Sequence, residues 1–307
     1  MKLSKRPRRL RELKTAKSMI RESDLKREDL ILPVFVSDHC KSKESIESMP
    51  EVYRWSIDEL LRQIESWHKI GMNAFALFPC VEDHKKCSLG KEALNSDSVC
   101  YRAAKKIKEV FPDILLISDL ALDPFTDHGH DGILDASGKV DNDLTVDVLC
   151  KSSVIAAESG FDIVAPSDMM DGRVGQIRNS LDNAGFEKVA ILAYSAKFCS
   201  SYYGPFRDAI SSARKNPIDK SGYQLDPANF REAMLELSLD EKEGADILMI
   251  KPAEPYLDVI KSAKEKSSLP IAAYQVSGEY SRIWAAHKLG WLDLDRCAME
   301  SLLCIKR

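Results

Sequence analysis

Short apolar runs recur along the chain, separated by longer stretches in which apolar positions return every three or four residues. The runs are Ile31 to Val36, Ala74 to Phe78, Ile114 to Ser118, Ile163 to Ala165, Val189 to Ala193, Ile247 to Ile250 and Ile271 to Val276. They read apolar throughout instead of alternating, the pattern of strands buried on both faces in a parallel sheet. Between them, 57–70, 144–159, 227–242 and 293–305 carry the 3.6-residue period of helices that bury one face. No Pro/Gly/Ser-rich linker and no internal repeat interrupts the alternation. The simplest architecture is α/β, a single (β/α)8 TIM-type barrel over 29–307, preceded by an N-terminal arm over 1–28. Seven strands are evident and an eighth is not, which predicts a ring with two unpaired edges.

Composition narrows the class without naming it. The 307 residues carry 44 Lys and Arg against 48 Asp and Glu, a net charge of −4, so a dedicated nucleic-acid binder is disfavoured. No stretch approaches the roughly 18 consecutive apolar residues of a membrane span. The eight cysteines are scattered without a CxxC pair, and the basic N-terminus lacks the apolar core of a signal peptide. A reduced, cytoplasmic protein is expected.

Chemistry in such barrels sits at the C-terminal ends of the strands. Asp119, Asp123 and Asp131 follow the third strand, Ser167, Asp168 and Asp171 the fourth, and Ser277 and Glu279 the seventh. Lys197 follows the fifth strand and Lys251 the sixth. A lysine there is either ion-paired or held neutral as an amine nucleophile. Two in one mouth disfavour each other's charge, and partial burial works in the same direction. Bringing a lysine from about 10.4 to about 7 takes roughly 4–5 kcal/mol, which burial and a like charge can supply. Schiff-base chemistry follows, and two amines suggest two carbonyl substrates.

Six motifs carry a resemblance over almost the whole chain, from RPRRLR at 6–11 onward. They are ALDPFTDHGHDG at 121–132, APSDMMDGRV at 165–174, YSAKF at 194–198, YGPFRDA at 203–209, MIKPA at 249–253 and YQVSGEY at 274–280. In these the chain resembles the porphobilinogen synthase (5-aminolevulinate dehydratase) family. The resemblance implies a hydro-lyase that condenses two 5-aminolevulinate molecules into porphobilinogen, with loss of two waters, in tetrapyrrole and haem synthesis. It implies Schiff bases on Lys251 for the propionate-side substrate and on Lys197 for the acetate-side substrate. Arg207, Lys220 and Gln224 match the acetate-side carboxylate positions, and Ser277 matches a residue for the other carboxylate. Asp119, Ser167 and Tyr203 match further active-site positions, and 199–223 matches a mobile lid. The arm implies a homo-oligomer, an octamer in the family, with no nucleic-acid or membrane partner.

Metal expectations also follow from the resemblance. Zinc-type members place three cysteines where this chain has Ala121, Asp123 and Asp131, so cysteine-type catalytic zinc is not expected. Carboxylates at Asp123 and Asp131 suit a hard ion such as Mg²⁺. Glu236 matches a regulatory Mg²⁺ position away from the site. The His128/His130 pair and the Cys80-His84-Cys87 cluster are read as structural. The family's chain continues past the match to Arg307 with a last strand and a carboxylate-binding tyrosine. Three readings therefore stand side by side: an active enzyme of this family, another Schiff-base aldolase, and an impaired or non-catalytic homologue acting through subunit interactions.

Overall fold

A computed structural model describes residues 3–210 and 218–307, with the side chains of Arg207 and Asp208 left aside. All seven expected strands are present: β1 is Leu32–Ser37, and β2 (Lys43–Ser45) and β3 (Tyr53–Trp55) form a hairpin the apolar pattern did not announce. Then come β4 (Ala74–Cys80), β5 (Leu115–Leu120), β6 (Ile163–Pro166), β7 (Ala190–Lys197), β8 (Ile247–Lys251) and β9 (Ile271–Ala273). Their order in the sheet is β2-β3-β1-β4-β5-β6-β7-β8-β9, and every pairing except β2–β3 is parallel.

Helix starts follow local hydrogen-bond chemistry. The Ser56 side chain accepts from the Glu59 amide ahead of Ile57–Lys69, and Asp141 does the same from Leu144 ahead of Asn142–Glu158. The helix expected from 227 begins instead at Phe230, because Asp226 accepts the Ala228 amide at 2.8 Å and holds 226–229 as a turn. That helix ends at Gly244, whose φ of +103° is a left-handed conformation that favours glycine.

Strand parity divides the core into two. Val34, Val36, Phe75, Leu77, Leu116, Val164, Ile191, Ala193, Leu248 and Ile250 face the helices. Phe35, Ala76, Phe78, Ile117, Ile163, Ala165, Leu192, Tyr194 and Met249 fill the barrel interior. Counting two residues on from Ile117, Ala165 and Met249 delivers Asp119, Ser167 and Lys251 to the inner face. Lys197 is different. Counting on from Tyr194 would send Ala196 inward and Lys197 outward. The β7–β8 register shifts between Ala193 and Ala196, Ala196 joins the outer cluster, and Lys197 lies level with Lys251. A β-bulge therefore aims the second lysine.

Among the described residues β9 and β1 do not pair, so the sheet is open there. Side chains bridge the seam instead. The helix Ser277–Lys288 reaches the β2–β3 loop, with the Tyr280 hydroxyl donating to Pro50 O and Ser281 Oγ to Ser48 O at 2.6 Å. At the other end Lys306 Nζ meets Asp29 Oδ1 at 2.7 Å. In the arm, the helices Arg8–Glu12 and Lys14–Met19 bury nothing in this chain, and Leu10, Leu13, Met19 and Ile20 are exposed.

Candidate active site

Lys197 and Lys251 are register partners at the ends of β7 and β8, and both are buried. They line one cavity at the barrel mouth with Asp123, Lys220 and Gln224. The expectation treated the two amines alike, but their surroundings differ. Lys197 Nζ donates to Asp131 Oδ2 at 3.1 Å and to the Ser167 carbonyl, so it has a buried counterion. Lys251 has aromatic rings instead: Tyr274, Tyr194, Phe206 and Tyr203 stand 4.3, 5.0, 5.4 and 5.5 Å from its nitrogen. Ring faces favour the cation by about 0.5–2 kcal/mol each at best. Burial outweighs them: it pushes the Lys251 amine down to about 7, helped by the Lys197 charge and opposed by Asp119, Asp123 and Asp131.

Asp131 is the hub of the opposite wall. Its carboxylate takes Lys197, Lys220 at 2.5 Å and Gln224 Nε2 at 3.2 Å, and Lys220 also lies 3.6 Å from Asp123. Burial alone would raise the Asp131 carboxyl, but Lys197 and Lys220 hold it far below the carboxylate range. Asp123 has its carboxyl raised, chiefly by burial. At the two carboxylates where a divalent ion is expected, Lys220 Nζ stands 2.5 Å from Asp131 and 3.6 Å from Asp123. Among the described residues no group of three or more His, Cys, Asp or Glu is placed to hold a metal. His130 contacts the Tyr223 hydroxyl at 3.2 Å and His128 the Ser88 carbonyl at 3.2 Å, so both tie the loop together.

Asp119 receives the Ser167 hydroxyl at 3.1 Å on one oxygen. Its other oxygen is buried without a hydrogen-bond partner among the described residues. Burial pushes this carboxyl up to about 6, against the pull of Lys251. Tyr203 donates to Phe198 O at 2.8 Å and Lys251 O at 3.3 Å, tying two strand ends together. Ser277 is near the site but engaged with backbone: Oγ accepts the Phe206 amide at 3.0 Å and donates to Tyr202 O at 3.4 Å. The Arg207 side chain lies outside the described residues, as do 211–217 of the expected lid. Glu236 is half-buried on the outer helix Phe230–Glu243, where burial raises its carboxyl and Arg173 opposes.

The sequence reading missed the ring wall of Tyr194, Phe206 and Tyr274, although all three stand inside quoted motifs. It also left Glu279 without a role. That carboxylate accepts the amides of Glu254 at 2.6 Å, Val276 at 2.7 Å and Ala253 at 3.3 Å, bracing the turn that follows Lys251. Burial pushes Glu279 up to about 7 and the backbone donors pull it back. Glu279→Gln turns one acceptor into a donor facing an N–H. Urea unfolding is expected to show a loss of about 1–3 kcal/mol for each amide so orphaned, and an unchanged midpoint would contradict the brace.

Comparison with known proteins bears directly on this arrangement. The family model described as delta-aminolevulinic acid dehydratase matches residues 4–307. The chain is 50% identical over 305 residues to the delta-aminolevulinic acid dehydratase of Bradyrhizobium diazoefficiens, covering 99% of this chain and 86% of the relative. To that of Chlamydia pneumoniae it is 49% identical, covering 99% and 91%. The crystal structure of the Toxoplasma gondii ME49 enzyme in complex with its reaction product porphobilinogen superposes with a TM-score of 0.97 at 46% identity, covering 99% of this chain and 87% of that one. With the paired lysines at the barrel mouth, these matches show that the chain belongs to the delta-aminolevulinic acid dehydratase family.

Proposed function

We propose that this chain condenses two molecules of 5-aminolevulinate into porphobilinogen, releasing two waters. The observation that carries the reading is the Lys251 amine, walled by aromatic rings and level with a second buried lysine. A neutral amine attacks a ketone carbon to give a carbinolamine, which loses water to become an imine. Lys251 is set up for that step first. Lys197 is the second amine, and loses its partner when an incoming substrate competes for the groups around Asp131. Lys220 and Gln224 offer a cation and an amide donor to the acetate-side carboxylate, with Arg207 assigned there by its motif. Asp119, with one oxygen unpartnered, is the group to move a proton at the substrate carbon beside the imine. The two ketone oxygens leave as the waters of imine formation; one carbon–carbon and one carbon–nitrogen bond then join the substrates, and each lysine amine is expelled from its carbon as the ring forms, returning both amines free.

The pH profile follows with a definite sign. Lys251 reacts as the free amine and Asp119 as the carboxylate, so both limbs rise with pH. kcat/KM is expected to climb between pH 5 and 7.5, falling about tenfold per unit below pH 6 for one controlling group and more steeply for two. A profile flat across that range contradicts the assignment. Formation of porphobilinogen from 5-aminolevulinate by the purified chain tests the reaction itself.

The arm supports a homo-oligomer, octameric by resemblance, since its apolar side chains have no cover within the chain. Removing 1–28 tests this by sedimentation. A regulatory Mg²⁺ at Glu236 rests on the family resemblance, since the charges around that carboxyl are mixed: Arg173 as well as Asp240, Asp171 and Glu232. One protein carboxylate does not complete a shell, so water would supply the remaining ligands. No step is derived through the ion. The eight cysteines, scattered without a CxxC pair, support a reducing, cytoplasmic setting, and among the described residues no helix is long and apolar enough to cross a membrane.

A further inference from the structure

The first turn of the helix Ser277–Lys288 touches the segment that walls in Lys251. A Cβ built on Gly278 would lie 2.4 Å from the carbonyl oxygen of Tyr202, and 2.8 and 2.9 Å from its Cα and carbonyl carbon. All three are backbone atoms, so no side-chain rotation relieves the overlap. Gly278 has no left-handed φ, so its requirement is for space and not for backbone freedom. Around this contact the same helix grips the segment at further points. Ser277 Oγ binds both Tyr202 O and the Phe206 amide. One turn on, Arg282 donates to the Tyr202 hydroxyl at 3.3 Å and lies 5.4 Å from the centre of its ring.

What the segment carries matters. Tyr203 and Phe206 supply two of the four rings around Lys251. The other two come from β7 and the end of β9, and do not depend on this seat. We propose that Gly278 is a positioning residue for Lys251: its bare α-carbon is the seat on which 202–206 rests, and that seating keeps water off the amine. The charged groups facing Lys251 are Lys197 from β7, Asp119 from β5, and Asp123 and Asp131 from the loop after β5. Among the described residues none of these charges is on the seated segment, so lifting it changes solvent access while leaving them in place.

The inference deepens the proposed reaction, so its test has a readout independent of turnover. In the full chain, Lys251 is labelled competitively with acetic anhydride across pH 5–11 and read by peptide mass spectrometry, giving its titration directly. In Gly278→Ala the titration is expected to move up by at least one unit toward the ordinary lysine range, and further in Gly278→Val. Imine trapped by borohydride at pH 7 should fall about fivefold for a one-unit shift. Arg282→Leu, which loosens Tyr202 without an overlap, should shift the titration less and in the same direction, and it serves if the glycine variants do not fold. A folded Gly278→Ala with Lys251 titrating as in the parent overturns the proposal, as does Arg282→Leu without effect when the glycine variants fail to fold. If the parent makes no porphobilinogen, the reaction reading fails, while the labelling result still decides the role of Gly278.

Discussion

Replacing Lys251 by alanine is expected to lower porphobilinogen formation by roughly 10⁴-fold or more, the usual scale for losing a covalent nucleophile. The borohydride-trapped adduct at that position should vanish with it. Lys251→Arg is expected to fail equally, because a guanidinium stays protonated and cannot form the imine. The physical basis is the asymmetry between the two amines. Lys251 has rings for neighbours and its amine is pushed down to about 7 by burial, whereas Lys197 is held against Asp131 at 3.1 Å. Lys197→Ala should therefore abolish turnover yet leave a trappable adduct on Lys251. An adduct that persists on Lys197 in the Lys251→Ala chain would reverse the assigned order of the amines.

Asp131→Asn carries the second large effect, this time on stability. The substitution strips the common counterion from Lys197 and Lys220, both of which contact Asp131, and leaves Asp123 at 3.6 Å from Lys220. Leaving a buried charge without its partner costs about 3–5 kcal/mol, measurable by urea unfolding at pH 7. The pH dependence has a fixed sign. The folded Asp131 carboxyl lies below its ordinary value of 3.8, so its stabilisation is present above about pH 4 and is lost as the pH falls through the folded value. The stability gap between parent and variant should narrow on acidification below pH 4. A gap that stays constant there would mean the ion cluster is not its source.

How much of this was legible in the sequence depends on the kind of signal each residue left. The seven barrel strands announced themselves because burial on both faces demands unbroken apolar runs. The β2–β3 hairpin did not, since Lys43–Ser45 is fully exposed and its residues carry no apolar pattern. Asp119, Ser167 and Lys251 followed from parity once their strands were placed. Lys220 and Asp131 were both expected at the site, yet their ion pair spans 89 positions and no local pattern encodes it. The ring wall around Lys251 was hidden for the opposite reason: Tyr194 in an apolar strand looks like ordinary core, while Tyr274 just past a strand and Phe206 in a short helix carry no pattern that joins them to it.

The bulge in β7 separates what a residue is from where it faces. Upstream of Ala193 the strand keeps one phase, and downstream of Ala196 it keeps the other. The direction of Lys197 is therefore set by the number of residues between those points more than by their identity. Inheritance through such a stretch is a constraint on spacing. A substitution at Ser195 that fits the space leaves the lysine aimed into the mouth, while deletion of a single residue would turn the same amine toward the helices with every active-site letter still present. Two sequences could thus agree at every functional position in an alignment and differ in whether the second amine reaches its substrate.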